Sequence, residues 1–187
     1  HLTPDSQVEV PMMFQNEKFA VTRSENAVLV ELPYGQGNFS MVVMLPDEGV
    51  STSVAAAAIT PEKWSQWMAS LANGATEVDL SLPRFKYEYK RTLNDDLAAL
   101  GMGIAFSTSA DFSNISDQSL MISRVLHQTF IETNEEGTEA AAATVVETVF
   151  TSTPMVTTVN LNSPFLYFIR ETSTGTIVFM GQVVDPR

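Results

Sequence analysis

An α+β fold is the class this sequence predicts, mostly antiparallel or mixed sheet with a few short helices. Two observations carry it. Short runs rich in Val, Ile, Leu and Phe, broken by glycine turns, fill residues 8–45 and 165–184, which is strand patterning. Between them, apolar residues recur at helical spacing over residues 54–71 and 94–100, which is helix patterning. With 187 residues and 44% hydrophobic composition the chain can bury one real core. No repeat or linker-like stretch interrupts it, so residues 1–187 are expected to form one domain.

The elements follow in order. Residues 8–14 open as a strand, 15–18 as a turn, and 19–22 and 26–33 as further strands. Tyr34-Gly35-Gln36-Gly37-Asn38 is a turn whose glycines supply positive φ,, and the near-continuous apolar run 39–45 has the pattern of a buried strand,. A short helix is expected over 54–59. Thr60 is then a good N-cap, with Pro61 in the first helical position. Trp64, Trp67, Met68 and Leu71 share one face of that helix, and Gly74 closes it,. Residues 76–82 alternate as a strand and 83–89 continue extended; 94–100 is a helix capped by Asn94 and stopped by Gly101; 110–115 is a loop; 122–132 is a strong strand. Two last strands, 165–171 and 176–184, join through Thr172-Ser173-Thr174-Gly175.

Charge and composition exclude several functions. The net charge of −12 argues against nucleic acid, because phosphate binding needs clustered Lys and Arg, and against anionic membrane surfaces. No apolar run approaches the roughly 20 residues of a membrane span. With no cysteine, disulfides, thiol catalysis and zinc–thiolate sites are absent. The chain starts at His1 without a leader, so a processed, truncated or tagged chain is expected. Neither a nucleophile elbow nor a phosphate loop is present, and Gly101-Met102-Gly103 lacks the third glycine of a dinucleotide fingerprint,. His127 sits in an apolar run, where a hydrogen-bonded structural histidine is expected rather than a general base. Asp95-Asp96 and Glu135-Glu136 are adjacent pairs, whose side chains diverge and make no dyad,. Asn38-Phe39-Ser40 and Asn114-Ile115-Ser116 match the glycosylation sequon, a weak signal,. No enzyme, no metal and no cofactor are expected.

One stretch conflicts with its own propensities. Glu139 is followed by Ala140, Ala141, Ala142 and Ala143, a helix-favouring run, yet Gly137 precedes it and Thr144-Val145-Val146 is β-branched,. Its even positions, Thr138, Ala140, Ala142, Thr144, Val146, Thr148 and Phe150, are all uncharged, and Glu139 and Glu147 fall on the odd ones. Laid out as a strand it has one face fit for a core and one fit for water. An exposed loop, a short helix and a core-facing strand all remain open to it.

Several segments together resemble the serpins, the protease-inhibitor superfamily. Residues Glu135 to Thr144 are similar to the hinge of the reactive-centre loop. Leu161-Asn162-Ser163-Pro164-Phe165-Leu166 matches the signature beyond that loop, and Phe179-Met180-Gly181-Gln182-Val183-Val184-Asp185-Pro186 the C-terminal end. Glu31-Leu32-Pro33-Tyr34, Ser40-Met41-Val42-Val43-Met44-Leu45-Pro46, Leu82-Pro83-Arg84-Phe85 and Ala99-Leu100-Gly101-Met102 agree too. The agreement runs the length of the chain in the family's order, and spans about the C-terminal half of the family's fold.

That resemblance implies a serpin fold and a suicide-substrate inhibitor, in which the target protease does the chemistry and the loop is bait. It implies a reactive-centre loop over 137–160, with Glu136, Gly137, Thr138, Glu139, Ala140, Ala141, Ala142 and Ala143 as hinge, and His127 in the region where the large sheet opens. It implies that 122–134 is a strand of the large sheet, that 8–14 and 77–82 lie in a second sheet, and that 26–45, 165–171 and 176–184 build a third. The other half of the same fold, six helices and a strand of the large sheet, would be its partner. Counting from the hinge puts the reactive bond at Thr151–Ser152, with Phe150–Thr151 as runner-up; counting back from the signature gives Thr153–Pro154, a poor site because proline follows. From Gly137 to Ile169 there is no Lys or Arg, so elastase-, subtilisin- or chymotrypsin-like enzymes are the implied targets, papain-like ones are admitted, and trypsin-like ones are not. The absence of cysteine and the acidic composition point to a prokaryotic secreted or cell-surface inhibitor, so an extracellular or cell-surface setting is expected. Two alternatives stay open: a non-inhibitory binding module of the same family, or a fragment that self-associates through exposed strand edges.

Overall fold

A computed structural model of the chain describes residues 7–135 and 156–187. The first strand, β1 (Met12–Arg23), is one long element with no turn at 15–18. The polar run Gln15-Asn16-Glu17-Lys18 has the composition of a turn, but β4 (Ala75–Pro83) pairs along it from Met12↔Pro83 to Ala20↔Ala75. Side chains alternating out of that ladder find partners on β4: Asn16 donates to Asp79, and Lys18 faces Glu77. Tertiary pairing therefore overrides local propensity.

β2 (Ala27–Tyr34) and β3 (Phe39–Pro46) form the expected hairpin, in register from Ala27↔Pro46 to Tyr34↔Phe39. Helix α1 (Thr52–Ala57) starts two residues earlier than its apolar pattern, because Ser51 caps it by accepting from Val54 N. In α2 (Pro61–Leu71), Thr60 Oγ1 accepts from Lys63 N at 3.3 Å, the capping bond expected of that residue,. The face carrying Trp67 and Leu71 packs with Ala55 of α1 on Leu29, Val42, Met44, Leu166 and Phe168 of the sheet. Trp64 adds a ring contact to Phe168 at 4.8 Å, an arrangement within the favourable range for aromatic pairs.

Three more strands complete this sheet: β7 (Thr157–Asn160), β8 (Phe165–Glu171) and β9 (Ile177–Val183). The order is β7-β4-β1-β2-β3-β8-β9. The two smaller sheets expected to be separate are thus one, because β1 pairs with β4 from Met12 to Ala20 and with β2 from Ala20 to Arg23. Phe85, just past β4, meets Phe165 and Tyr167 of β8 with ring centroids 5.9 and 5.6 Å away. β4 and β8 are four places apart in strand order, so the sheet curls back on itself and buries one face.

Lys86–Glu132 form a second compact unit, in which β5 (Phe85–Thr92) and β6 (Leu126–Thr133) make a two-stranded sheet. Helix α3 (Asn94–Leu97) is shorter than the expected 94–100: the chain opens into a wide turn over Ala98–Met102, with Gly101 at φ 99°, and tightens over Gly103–Phe106. Asn94 does not cap the helix either. Its side chain accepts from Val125 N at 2.9 Å and donates to Ser123 O at 3.0 Å. Those bonds hold 123–125 as a loop, so the strand expected from 122 begins at Leu126.

Candidate functional site

The hinge residues Glu136, Gly137, Thr138, Glu139, Ala140, Ala141, Ala142 and Ala143, and the bond residues Phe150, Thr151 and Ser152, lie outside the described residues. Around them the structure describes two anchors. On the upstream side Thr133 is buried, and two residues on Glu135 Oε1 accepts from Arg84 Nε at 3.0 Å and Nη2 at 2.5 Å. Those hydrogen bonds hold the Glu135 carboxyl below its ordinary value. On the downstream side β7 pairs parallel with the free edge of β4, from Val78↔Thr157 to Ser81↔Asn160. Ser81 Oγ and Asn160 Oδ1 join at 2.7 Å, and Leu161 N donates to Ser81 O at 2.9 Å. Val159 and Leu161 are buried beneath that pairing.

Both anchors therefore stand on one strand and the residue that follows it. Val78 and Arg84 are six residues apart, about 20 Å of strand at roughly 3.3 Å per residue. The 20 residues between the anchors, 136–155, have a contour length of about 70 Å. The chain between the anchors is several times longer than the distance along β4 that it has to bridge.

The model of the family described as serpin (serine protease inhibitor) matches residues 1–186. The chain belongs to the serpin family. It is 41% identical to the human leukocyte elastase inhibitor over 95% of this chain and 49% of that protein. It is 37% identical to a serine protease inhibitor of Cyanea capillata over 100% of this chain and 50% of that one. Among solved structures, uncleaved ovalbumin superposes with a TM-score of 0.84 at 32% identity, over 99% of this chain and 47% of that chain. The native thermophilic serpin tengpin gives 0.76 at 38%, over 94% and 46%. The chain spans about half the length of the relatives it matches, and the α+β fold expected from its patterning is the serpin fold.

Within this serpin, His127 lies on β6 in the smaller unit. It is exposed, not enclosed in an apolar strand, and its ring meets Tyr89 edge-on at 6.4 Å. Leu126 and Phe130 of the same strand are also exposed, which is why an apolar sequence did not make a buried site. Among the described residues no three of His, Asp and Glu come together as a metal-holding cluster.

Three features escaped the sequence reading. Arg84 was noticed only as part of Leu82-Pro83-Arg84-Phe85; its role in holding Glu135 needs the two brought together in space. Thr157-Thr158-Val159-Asn160 is β-branched enough to signal a strand, yet it lies inside the loop expected over 137–160 and so reads as loop. A half-buried triad is the third: Glu31 Oε1 accepts from Arg170 Nη2 at 2.6 Å, Arg170 Nε at 3.2 Å and Ser40 Oγ at 2.6 Å, tying β2, β3 and β8 together. Beside this region burial pushes the Tyr34 hydroxyl up to about 12, with the neighbouring Tyr167 adding to it.

Proposed function

We propose that the full-length protein is a suicide-substrate inhibitor of serine proteases, with residues 137–160 as its reactive-centre loop. The observation that carries this reading is a 20-residue stretch with a described contact at each end, Arg84–Glu135 before it and β7 on β4 after it, and an alternating uncharged face. A bait must be held at its ends, offer slack for a protease cleft, and be free of bulk or charge on the side that later enters a sheet.

The chemistry belongs to the protease. Its serine attacks the Thr151 carbonyl carbon, the Thr151–Ser152 bond breaks, the Ser152 amine leaves with a proton, and Thr151 stays on the enzyme as an ester. Release of the downstream end lets 138–150 become a strand of the large sheet, the strand-addition mode for which serpin loop insertion is a standard example. About a dozen new backbone hydrogen bonds at roughly 1 kcal/mol each supply on the order of 10 kcal/mol. That is comparable to the stability of a whole domain, enough to distort the acylated enzyme before water cleaves the ester. Glu136 to Ala143 are the proposed hinge, and His127 is proposed to belong to the opening region of that sheet.

Elastase-, subtilisin- or chymotrypsin-like enzymes are the proposed targets, with papain-like ones admitted. The uncharged Val149-Phe150-Thr151 and the absence of Lys and Arg from 137 to 169 support this, as does the relative named for leukocyte elastase. Full-length protein incubated with elastase should give an SDS-resistant complex, and with trypsin none. Simple turnover by both enzymes, with no complex, refutes the inhibitor reading. A second reading has its own observation: β9 ends the sheet with Val178 and Met180 exposed, an edge suited to pairing with another copy. Sizing chromatography of the 187-residue chain decides that: a monomer rejects it.

A further inference from the structure

We propose that Asn73-Gly74, at the joint between α2 and β4, is a site of spontaneous deamidation, and that the modified chain is weakened at that joint. Asn73 is the only asparagine of the sequence followed by glycine. The reaction brings the amide nitrogen of the next residue onto the asparagine side chain, and a Cβ on that next residue crowds the approach; glycine has none. The fold leaves the rest of the path open. Both residues are exposed, and Gly74 stands at φ 136° with empty space where a side chain would project. Asn73 N donates to Ser70 O at 3.1 Å, closing the turn after α2. Among the described residues no acceptor takes the Gly74 N–H, and no hydrogen bond holds the Asn73 side-chain amide. Other asparagines fail on one count or the other. The side chains of Asn16, Asn94 and Asn160 are bonded to Asp79, to Ser123 and Val125, and to Ser81. Asn38 and Asn114 are exposed too, but Phe39 and Ile115 follow them.

The chemistry needs only water. Gly74 N gives up its proton to base and attacks Asn73 Cγ; the N–Cγ bond forms, the Cγ–Nδ2 bond breaks, and Nδ2 takes a proton from water and leaves as ammonia. The product is a five-membered imide. Water then opens the ring at either carbonyl. Opening at Cγ leaves an aspartate at position 73. Opening at the main-chain carbonyl leaves an isoaspartate, whose backbone runs through Cγ and is longer by one carbon. Nothing is oxidised or reduced. Either product is badly placed. Both carry a new carboxylate beside the last turn of α2, whose carbonyls form the negative end of the helix dipole, and that turn has no basic residue to offset it. The longer isoaspartate backbone meets fixed partners on both sides: Ala72 N donates to Met68 O at 3.1 Å, and Ala75 is in register with Ala20. On the helix side Trp67 and Leu71 are buried in the core. On the strand side β4 carries β7 and leads to Arg84.

The test holds full-length protein at 37 °C, at pH 8 and at pH 6, beside Asn73→Gln and a free peptide of residues 68–79. Peptide mapping by mass spectrometry should find NH replaced by O at Asn73 ahead of every other asparagine. The change should run faster at pH 8 than at pH 6, because the attacking amide must lose its proton. Both products should be present, the isoaspartate marked by methyl transfer from a protein-isoaspartate methyltransferase. Folded protein should keep pace with the peptide, since no hydrogen bond has to break first. If Asn73 in the folded protein lags far behind the peptide and reacts no faster than Asn114, the proposal is overturned. After storage at pH 8 the wild type should melt at a lower temperature than when fresh, while Asn73→Gln keeps its starting value. Fully modified protein that melts like fresh protein overturns the weakening of the joint.

Discussion

Removing Arg170 while leaving Glu31 should cost far more stability than removing both. The Glu31 and Arg170 side chains are 15% and 14% exposed, and Oε1 of the carboxylate takes three hydrogen bonds, two of them from the guanidinium. In Arg170→Met the carboxylate keeps only Ser40. A buried charge deprived of its partner costs about 3–5 kcal/mol; at 15% exposure some water remains, so we take the lower end, about 3 kcal/mol. In Glu31→Gln/Arg170→Met the charge is gone and the methionine still fills the space beside β3, so about 1 kcal/mol is expected, mostly the hydrogen bonds lost. The coupling between the two positions is then about 2 kcal/mol or more. Urea denaturation of full-length wild type, both single variants and the double variant gives this directly from the midpoints, provided the slopes agree. If Arg170→Met is no less stable than the double variant, the pair is an ordinary surface contact, and the reasoning from burial is wrong.

Gly181→Ala should destabilise by about 1–3 kcal/mol, the range for overpacking: a Cβ at 181 falls 2.5–2.8 Å from the ring and hydroxyl of Tyr167, which is buried across the strand pair. A melting temperature equal to wild type would mean Tyr167 moves freely. Glu171 accepts from Ser173 and Thr174 in the turn before β9, and those bonds lower its carboxyl from 4.5 to about 2. A lowered folded value means the stabilisation is fully present above pH 4.5 and is lost as pH falls toward 2. Glu171→Gln should therefore melt earlier than wild type at pH 7, with the gap closing between pH 4.5 and 2; a gap constant across that window contradicts the assignment. Thr138→Arg in the full-length protein should turn inhibitor into substrate, since the charge sits on the face proposed to enter the sheet, and the SDS-resistant complex should disappear while cleavage persists.

Much of the fold was legible because its signals are local. Thr60-Pro61 with Trp64, Trp67 and Leu71 fixes where α2 begins and which face it buries, since capping and helical spacing act within a few residues. The β2–β3 hairpin follows from Tyr34-Gly35-Gln36-Gly37-Asn38 and its flanking apolar runs for the same reason. The failures share the opposite cause. Gln15 to Lys18 are strand because β4 offers them partners about 60 residues away in sequence; Asn94 left its helix cap for Ser123 and Val125; 157–160 became a strand because β4 had a free edge.

The same division runs through the candidate site. From the residues alone came the uncharged alternate positions 138–150, small as far as Thr144, and the lack of Lys and Arg up to Ile169, because side-chain size, charge and strand alternation are properties of the chain itself,. Tertiary structure alone decided that Arg84 grips Glu135 and that β7 lies along β4. Each of those joins groups tens of residues apart, and only a folded sheet sets such distances.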